Sequence, residues 1–235
     1  MKCNAFFLCL FVLSCQAQQI NSDSKPQLQK KNFDIGGHFE NRELCTRDMP
    51  DLIDAIDTSI VWEDGDRKLI IQGRILKRDG VTPVPDVVIY YYHTDDKGSY
   101  SGETRHGDIR GWVRSDREGK YTIYTNRPGG YPSGRTPEHI HPAIIEPEIG
   151  YPYYIDEWVF DDDPNLKSGI RNDMQNRGGS GVLRTIGKDG VEIATKDIIL
   201  GLNIPGHPEN EMEDTSGPDV GLDLKSFTPL HLWGN

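Results

Sequence analysis

The sequence predicts an all-β domain, a β-sandwich of mostly antiparallel strands with a small N-terminal helical segment. Three observations predict it. Short runs rich in β-branched and aromatic residues recur across residues 69–202, Asp and Gly turns punctuate them, and one stretch alone carries apolar residues at helical spacing. That stretch is Asp48 to Ile60, where Met49, Leu52, Ile53 and Ile56 fit one helical face. Pro50 falls in its first turn, where a missing N–H is tolerated.

The strands follow in order. Leu69 to Leu76 is the first, ended by the Arg78-Asp79-Gly80 turn, and Val87 to His93 is the second. Gly111 to Ser115 and Lys120 to Thr125 flank Asp116-Arg117-Glu118-Gly119 and are expected to pair as a hairpin. Val182 to Ile186 and Val191 to Thr195 form another around Lys188-Asp189-Gly190, and Asp197 to Leu202 closes the sheet region. Tyr90, Tyr91 and Tyr92, like Trp112, Trp158 and Trp233, are expected to serve packing.

The N-terminus bounds the compartment. Met1-Lys2 precedes an apolar run, Ala5 to Leu13, that is too short to cross a bilayer and suits the core of a signal peptide. Val12-Leu13-Ser14-Cys15 resembles a bacterial lipoprotein box, which would make Cys15 the lipidated first residue; the competing cut falls after Ala17. The favoured organisation is a lipoprotein signal over residues 1–15, a flexible polar tether over 16–32 and one domain over 33–235. The expected location is periplasmic or cell-surface in a bacterium, otherwise secreted, with the membrane touched only through the lipid on Cys15. Cys3, Cys9 and Cys15 belong to the leader, so Cys45 alone remains as a thiol and no intrachain disulfide can form. With 37 acidic against 26 basic residues, nucleic acid is not an expected partner.

The chemistry concentrates in Gly130-Tyr131-Pro132-Ser133-Gly134-Arg135-Thr136-Pro137-Glu138-His139-Ile140-His141. In an extended segment His139 and His141 point to one face, which makes half of a metal site. Upstream, Asp95-Asp96-Lys97-Gly98-Ser99-Tyr100 offers a second tyrosine, followed by Gly119-Lys120-Tyr121 and Pro128-Gly129-Gly130-Tyr131-Pro132. In this order the motifs resemble the intradiol ring-cleavage dioxygenases of the catechol and protocatechuate types, over about Lys68 to about Pro205.

The resemblance implies a non-haem Fe(III) held by Tyr100, Tyr131, His139 and His141. It implies that Tyr100 leaves the metal and takes a proton when a catechol-type substrate binds. O2 then opens the ring between the two hydroxylated carbons to give a muconate-type diacid, with no external reductant. Hard tyrosinate oxygens favour ferric iron, whereas cysteine ligands would favour zinc or clusters. Two positions depart from the family. Its arginine three residues before the first histidine is Thr136 here, with Arg135 one step earlier as the candidate catalytic arginine. Pro142 stands where an aromatic is usual. The alternative is a non-catalytic module, since Leu69 to Tyr100 also resembles transthyretin-like and carboxypeptidase-regulatory-like sandwiches. A zinc hydrolase is weaker, with no third ligand at the usual spacing.

Overall fold

The computed structural model describes residues 35–132 and 134–211, which belong to the second of two units, Met1–Asn32 and Phe33–Asn235. The expected leader and tether, and Trp233, lie outside the described residues. The strands, in chain order, are β1 (Ile56–Thr58), β2 (Lys68–Leu76), β3 (Val88–His93), β4 (Arg110–Arg114), β5 (Lys120–Asn126), β6 (His139–Ile145), β7 (Tyr153–Tyr154), β8 (Trp158–Phe160), β9 (Val182–Leu183), β10 (Thr185–Lys188), β11 (Val191–Thr195) and β12 (Ile198–Ile199). One sheet runs β1-β5-β2-β11-β10 with β12 also on β2; the other runs β4-β3-β6-β8-β9 with β7 on β6. Six pairings are antiparallel and four parallel, so the expected sandwich is present with a mixed character.

The helical segment is displaced from its expected place. Asp48 to Ile60 is not helical; a 3-10 turn at Arg42–Cys45 is the N-terminal helical piece. Within the expected helix, β1 runs parallel to β5, Asp54 O accepts from Arg114 N and Ala55 O accepts from Thr122 N. Of the four apolar residues only Ile53 is buried, while Leu52 is 84% exposed. Tertiary backbone partners outweigh an apolar period here. The hairpin expected across Asp116 to Gly119 is also corrected. β4 pairs with β3 in one sheet and β5 with β2 in the other, so this turn is an arch between sheets. Alternation places Val113, Tyr121 and Ile123 toward the interior, but it does not say which strand lies beside which.

The core fills the space between the sheets. Ile71 and Ile123 from the first meet Ile89, Tyr91, Ile140 and Trp158 from the second, all essentially inaccessible to solvent. Burial of this area is the main drive for the fold. Tyr91 crosses the interior to donate to Asp57 Oδ2 on β1 at 2.5 Å, and Tyr121 donates to Lys196 O at 2.6 Å. The second sheet is covered on both faces. Along β3 and β6 the residues between the core positions (Tyr90, Tyr92, His139, His141 and Ala143) point the other way and are also buried. That outer face carries the candidate site residues His139 and His141.

His93 sits inside the sandwich, with Nδ1 donating to Thr94 O at 2.7 Å and Nε2 2.8 Å from Thr125 Oγ1. Burial pushes its pKa down from 6.5 to about 4. A depressed histidine is neutral in the fold and protonated in the unfolded chain between those values. The unfolded state therefore binds the extra proton, and stability falls as pH drops through that window, by roughly 3 kcal/mol in total. Denaturant titrations at about pH 7 and about pH 4.5 should show this loss, and it should shrink by most of that amount in His93→Asn.

Candidate metal centre

The site lies on the outer face of the second sheet. His139 and His141 open β6 and share a face. Nδ1 of His139 donates to Pro137 O at 2.7 Å, which leaves its Nε2 as the lone-pair nitrogen, 3.3 Å from Tyr131 Oη. The two imidazoles lie 4.6 Å apart at 85°.

Two loops bring in the tyrosines. After β3, the Asp95 carboxylate accepts from Lys97 N and Ser99 N at 3.0 and 2.9 Å, an Asx turn that delivers Tyr100. After β5, Pro128 to Gly130 delivers Tyr131. The two loops touch backbone to backbone, and a Cβ on Gly98 would stand 1.9 Å from Gly130 O. A Cβ on Gly130 would stand 2.6 Å from Thr136 O. Tyr100 Oη then lies 3.1 Å from Tyr131 Oη.

Burial sets the electrostatics of the site. Burial, then the neighbouring Tyr131, pushes the Tyr100 phenol well above its ordinary value, and burial raises Tyr131. Burial lowers His139. All three prefer the neutral state unless a cation compensates. Donors bound at about 2 Å to one metal stand roughly 2.8–3.5 Å apart, and the observed 3.1 and 3.3 Å fall in that range. Among the described residues no three His, Cys, Asp or Glu side chains converge as a metal site, and the oxygen that meets His139 Nε2 is that of Tyr131. Two hard oxygens with two imidazoles fit a ferric ion.

Four further side chains shape the site although the sequence does not place them there, and Tyr92 among them is expected to serve packing. Tyr92, paired across the ladder with His141, stacks on its ring at 4.6 Å and 12°, and His106 stacks on Tyr92 at 3.8 Å. Tyr154 Oη lies 3.5 Å from His141 Nδ1 and Glu157 Oε1 3.9 Å from it. Glu157 stands one residue before β8, whose register with β6 sets His139 opposite Val159 and Ile140 opposite Trp158. Burial raises the Glu157 carboxyl above its ordinary range. The Tyr90-Tyr91-Tyr92 run was the only available sequence signal. Its central ring packs in the core, as expected, while Tyr92 faces the site. Phe39 meets Tyr154 at 4.4 Å, and Trp112 Nε1 donates to Cys45 O at 2.7 Å, so residues 39–45 wall the aromatic side. Cys45 is fully buried, its thiol pushed up to about 12 by burial, and it is an inert packing group.

Arg135 is placed differently from the quartet. It is exposed on the loop, while its neighbour Thr136 is buried.

The family model described as Dioxygenase (Dioxygenase_C) matches residues 54–177, more than half of the chain. No curated protein matches the sequence. Among solved structures, hydroxyquinol 1,2-dioxygenase from Pseudomonas putida is similar at 24% identity and a TM-score of 0.50, over 64% of this chain and 61% of that one. The dioxygenase domain of a dioxygenase–carbohydrate-binding protein fusion from a cellulolytic Streptomyces is similar at 20% identity and a TM-score of 0.49, over 65% and 88%. For 3-chlorocatechol 1,2-dioxygenase from Rhodococcus opacus the values are 20%, 0.49, 64% and 68%. The match thus spans less than two thirds of the hydroxyquinol enzyme, and at 24% identity that structure speaks for the fold alone. With the family match over most of the sandwich, the chain belongs to the intradiol ring-cleavage dioxygenase family.

Proposed function

We propose that the protein is an exported, ferric, non-haem intradiol dioxygenase that opens a catechol-type ring with O2 to a muconate-type diacid. The observation that carries this reading is the meeting of Tyr100, Tyr131 and His139 at 3.1 and 3.3 Å, with His141 beside them. These four side chains would hold the iron. Bound there, ferric iron supplies a Lewis-acidic chelation point for the two catechol oxygens and a ring electronically opened to O2.

The chain's own groups do the rest. Burial makes the Tyr100 phenolate a strong base, suited to take the proton of a catechol hydroxyl that arrives beside it. Pro137 O holds His139 in the tautomer that offers Nε2. Tyr92 fixes the ring plane of His141 by stacking. Phe39 and Tyr154 present an apolar aromatic wall suited to a flat ring and to exclusion of water. Arg135, the expected catalytic arginine, would have to turn inward from its exposed position to reach a substrate. Export rests on the leader of residues 1–15.

The test is O2 uptake by the iron-loaded protein with catechol, hydroxyquinol and chlorocatechol in turn. One O2 should be consumed per ring opened, and both atoms of isotopically labelled O2 should appear in the diacid. Iron-loaded protein that consumes no O2 with any of them would refute the reading.

A further inference from the structure

Tyr131 lies within the loop that joins β5 to β6 and His139 is the first residue of β6, and the neck of that loop is closed by charge. Arg127 directly follows β5, at the start of the loop; Glu138 stands just before His139. Arg127 Nε donates to Glu138 Oε2 at 2.6 Å, and Arg67 forks onto the same carboxylate at 2.7 and 3.0 Å. Arg127 is itself buried, 5% exposed, with its guanidinium 4.1 Å from the Phe160 ring. Its remaining nitrogens bond Asp162 at 2.7 and 3.1 Å and Glu192 at 2.7 Å. Glu138 N also donates to Asp163 Oδ2 at 2.5 Å.

We infer that the Arg127–Glu138 pair is a clasp that sets the spacing of Tyr131 and His139 before any metal arrives. Glu138 and Arg127 are thus positioning residues. The inference rests on the ferric reading for what the spacing serves, though not for the spacing itself. A planar guanidinium can satisfy three carboxylates in fixed directions, so the clasp has one geometry. The other two carboxylates keep Arg127 neutralised if Glu138 is lost. Glu138→Gln removes the charge and one of the two acceptor oxygens, so it loosens the neck without leaving a buried cation unpaired, and the chain should still fold.

Glu192→Gln is the control. It weakens the same network from the first sheet and leaves the neck closed. Two readouts separate a clasp from a merely structural ion pair. In the metal-free protein, the amides of Gly129 and Gly134, bonded to Asp95 O and Tyr131 O, report loop opening by hydrogen exchange. In Glu138→Gln they should exchange at least about tenfold faster than in wild type, and in Glu192→Gln within about twofold. The ferric dissociation constant should rise about 10–100-fold in Glu138→Gln and stay near wild type in Glu192→Gln. Equal exchange in the two variants would overturn the clasp. Faster exchange with unchanged iron affinity would also overturn it, since the spacing would then not depend on the neck. If wild type binds no ferric iron, the exchange comparison still decides the clasp, and the functional reading fails alone.

Discussion

Replacing Gly98 with alanine is expected to abolish most activity while leaving a folded protein. The new Cβ would stand 1.9 Å from Gly130 O and 3.1 Å from Tyr131 Cα, so the two tyrosine loops must separate. Gly98 also has φ +77, a conformation that alanine adopts only under strain. No flexible side chain lies in the way to yield; the obstacle is backbone. Strain and overpacking together should lower stability by about 2–4 kcal/mol. The larger effect is on the site, because Tyr100 and Tyr131 now meet at 3.1 Å and a shift near 1 Å can cost about a hundredfold in rate. Turnover with catechol and a denaturant midpoint measured together check this. Gly134→Ala, whose Cβ would meet nothing, carries the backbone strain without the collision and should keep most of the activity.

Tyr131→Phe is expected to remove the activity and the metal without loosening the fold. Its oxygen is the hub of the cluster, 3.1 Å from Tyr100 Oη and 3.3 Å from His139 Nε2. Removing a partner that merely orients a ligand weakens metal binding about 10–100-fold, and removing the ligand itself should exceed that range. The fold has no reason to suffer, since Tyr131 is partly exposed and burial raises its pKa, so the metal-free protein gains nothing from its ionised form. A ferric titration read beside a melting curve checks both halves. Lost iron with an unchanged curve is the expected pair.

The sequence carried the strands because β-branched runs end at turns it spells out. β2 and β3 begin within one residue of the expected positions, and β10 and β11 flank Asp189-Gly190. It did not carry pairing. The Asp116 to Gly119 turn is equally good chemistry for a hairpin or an arch, and only the interior packing of Val113 and Ile123 decides. β1 was hidden beneath a helical spacing because its backbone partners lie far along the chain. At the site, Tyr100, Tyr131, His139 and His141 were visible as an ordered motif. Tyr92, Tyr154 and Glu157 depend on cross-strand register, so no local pattern marks them. Arg135 lies exposed and Thr136 buried, a difference between neighbours that the loop's sequence does not announce.

Two tyrosines and two histidines are proposed to form one ferric site. The most direct measurement is visible absorption of the metal-free protein during titration with ferric iron, followed by catechol without O2. The account predicts a broad blue-green charge-transfer band from tyrosinate to iron that saturates at one iron per chain and moves to the red with catechol. A protein that stays colourless, or that colours equally as Tyr131→Phe, would contradict it.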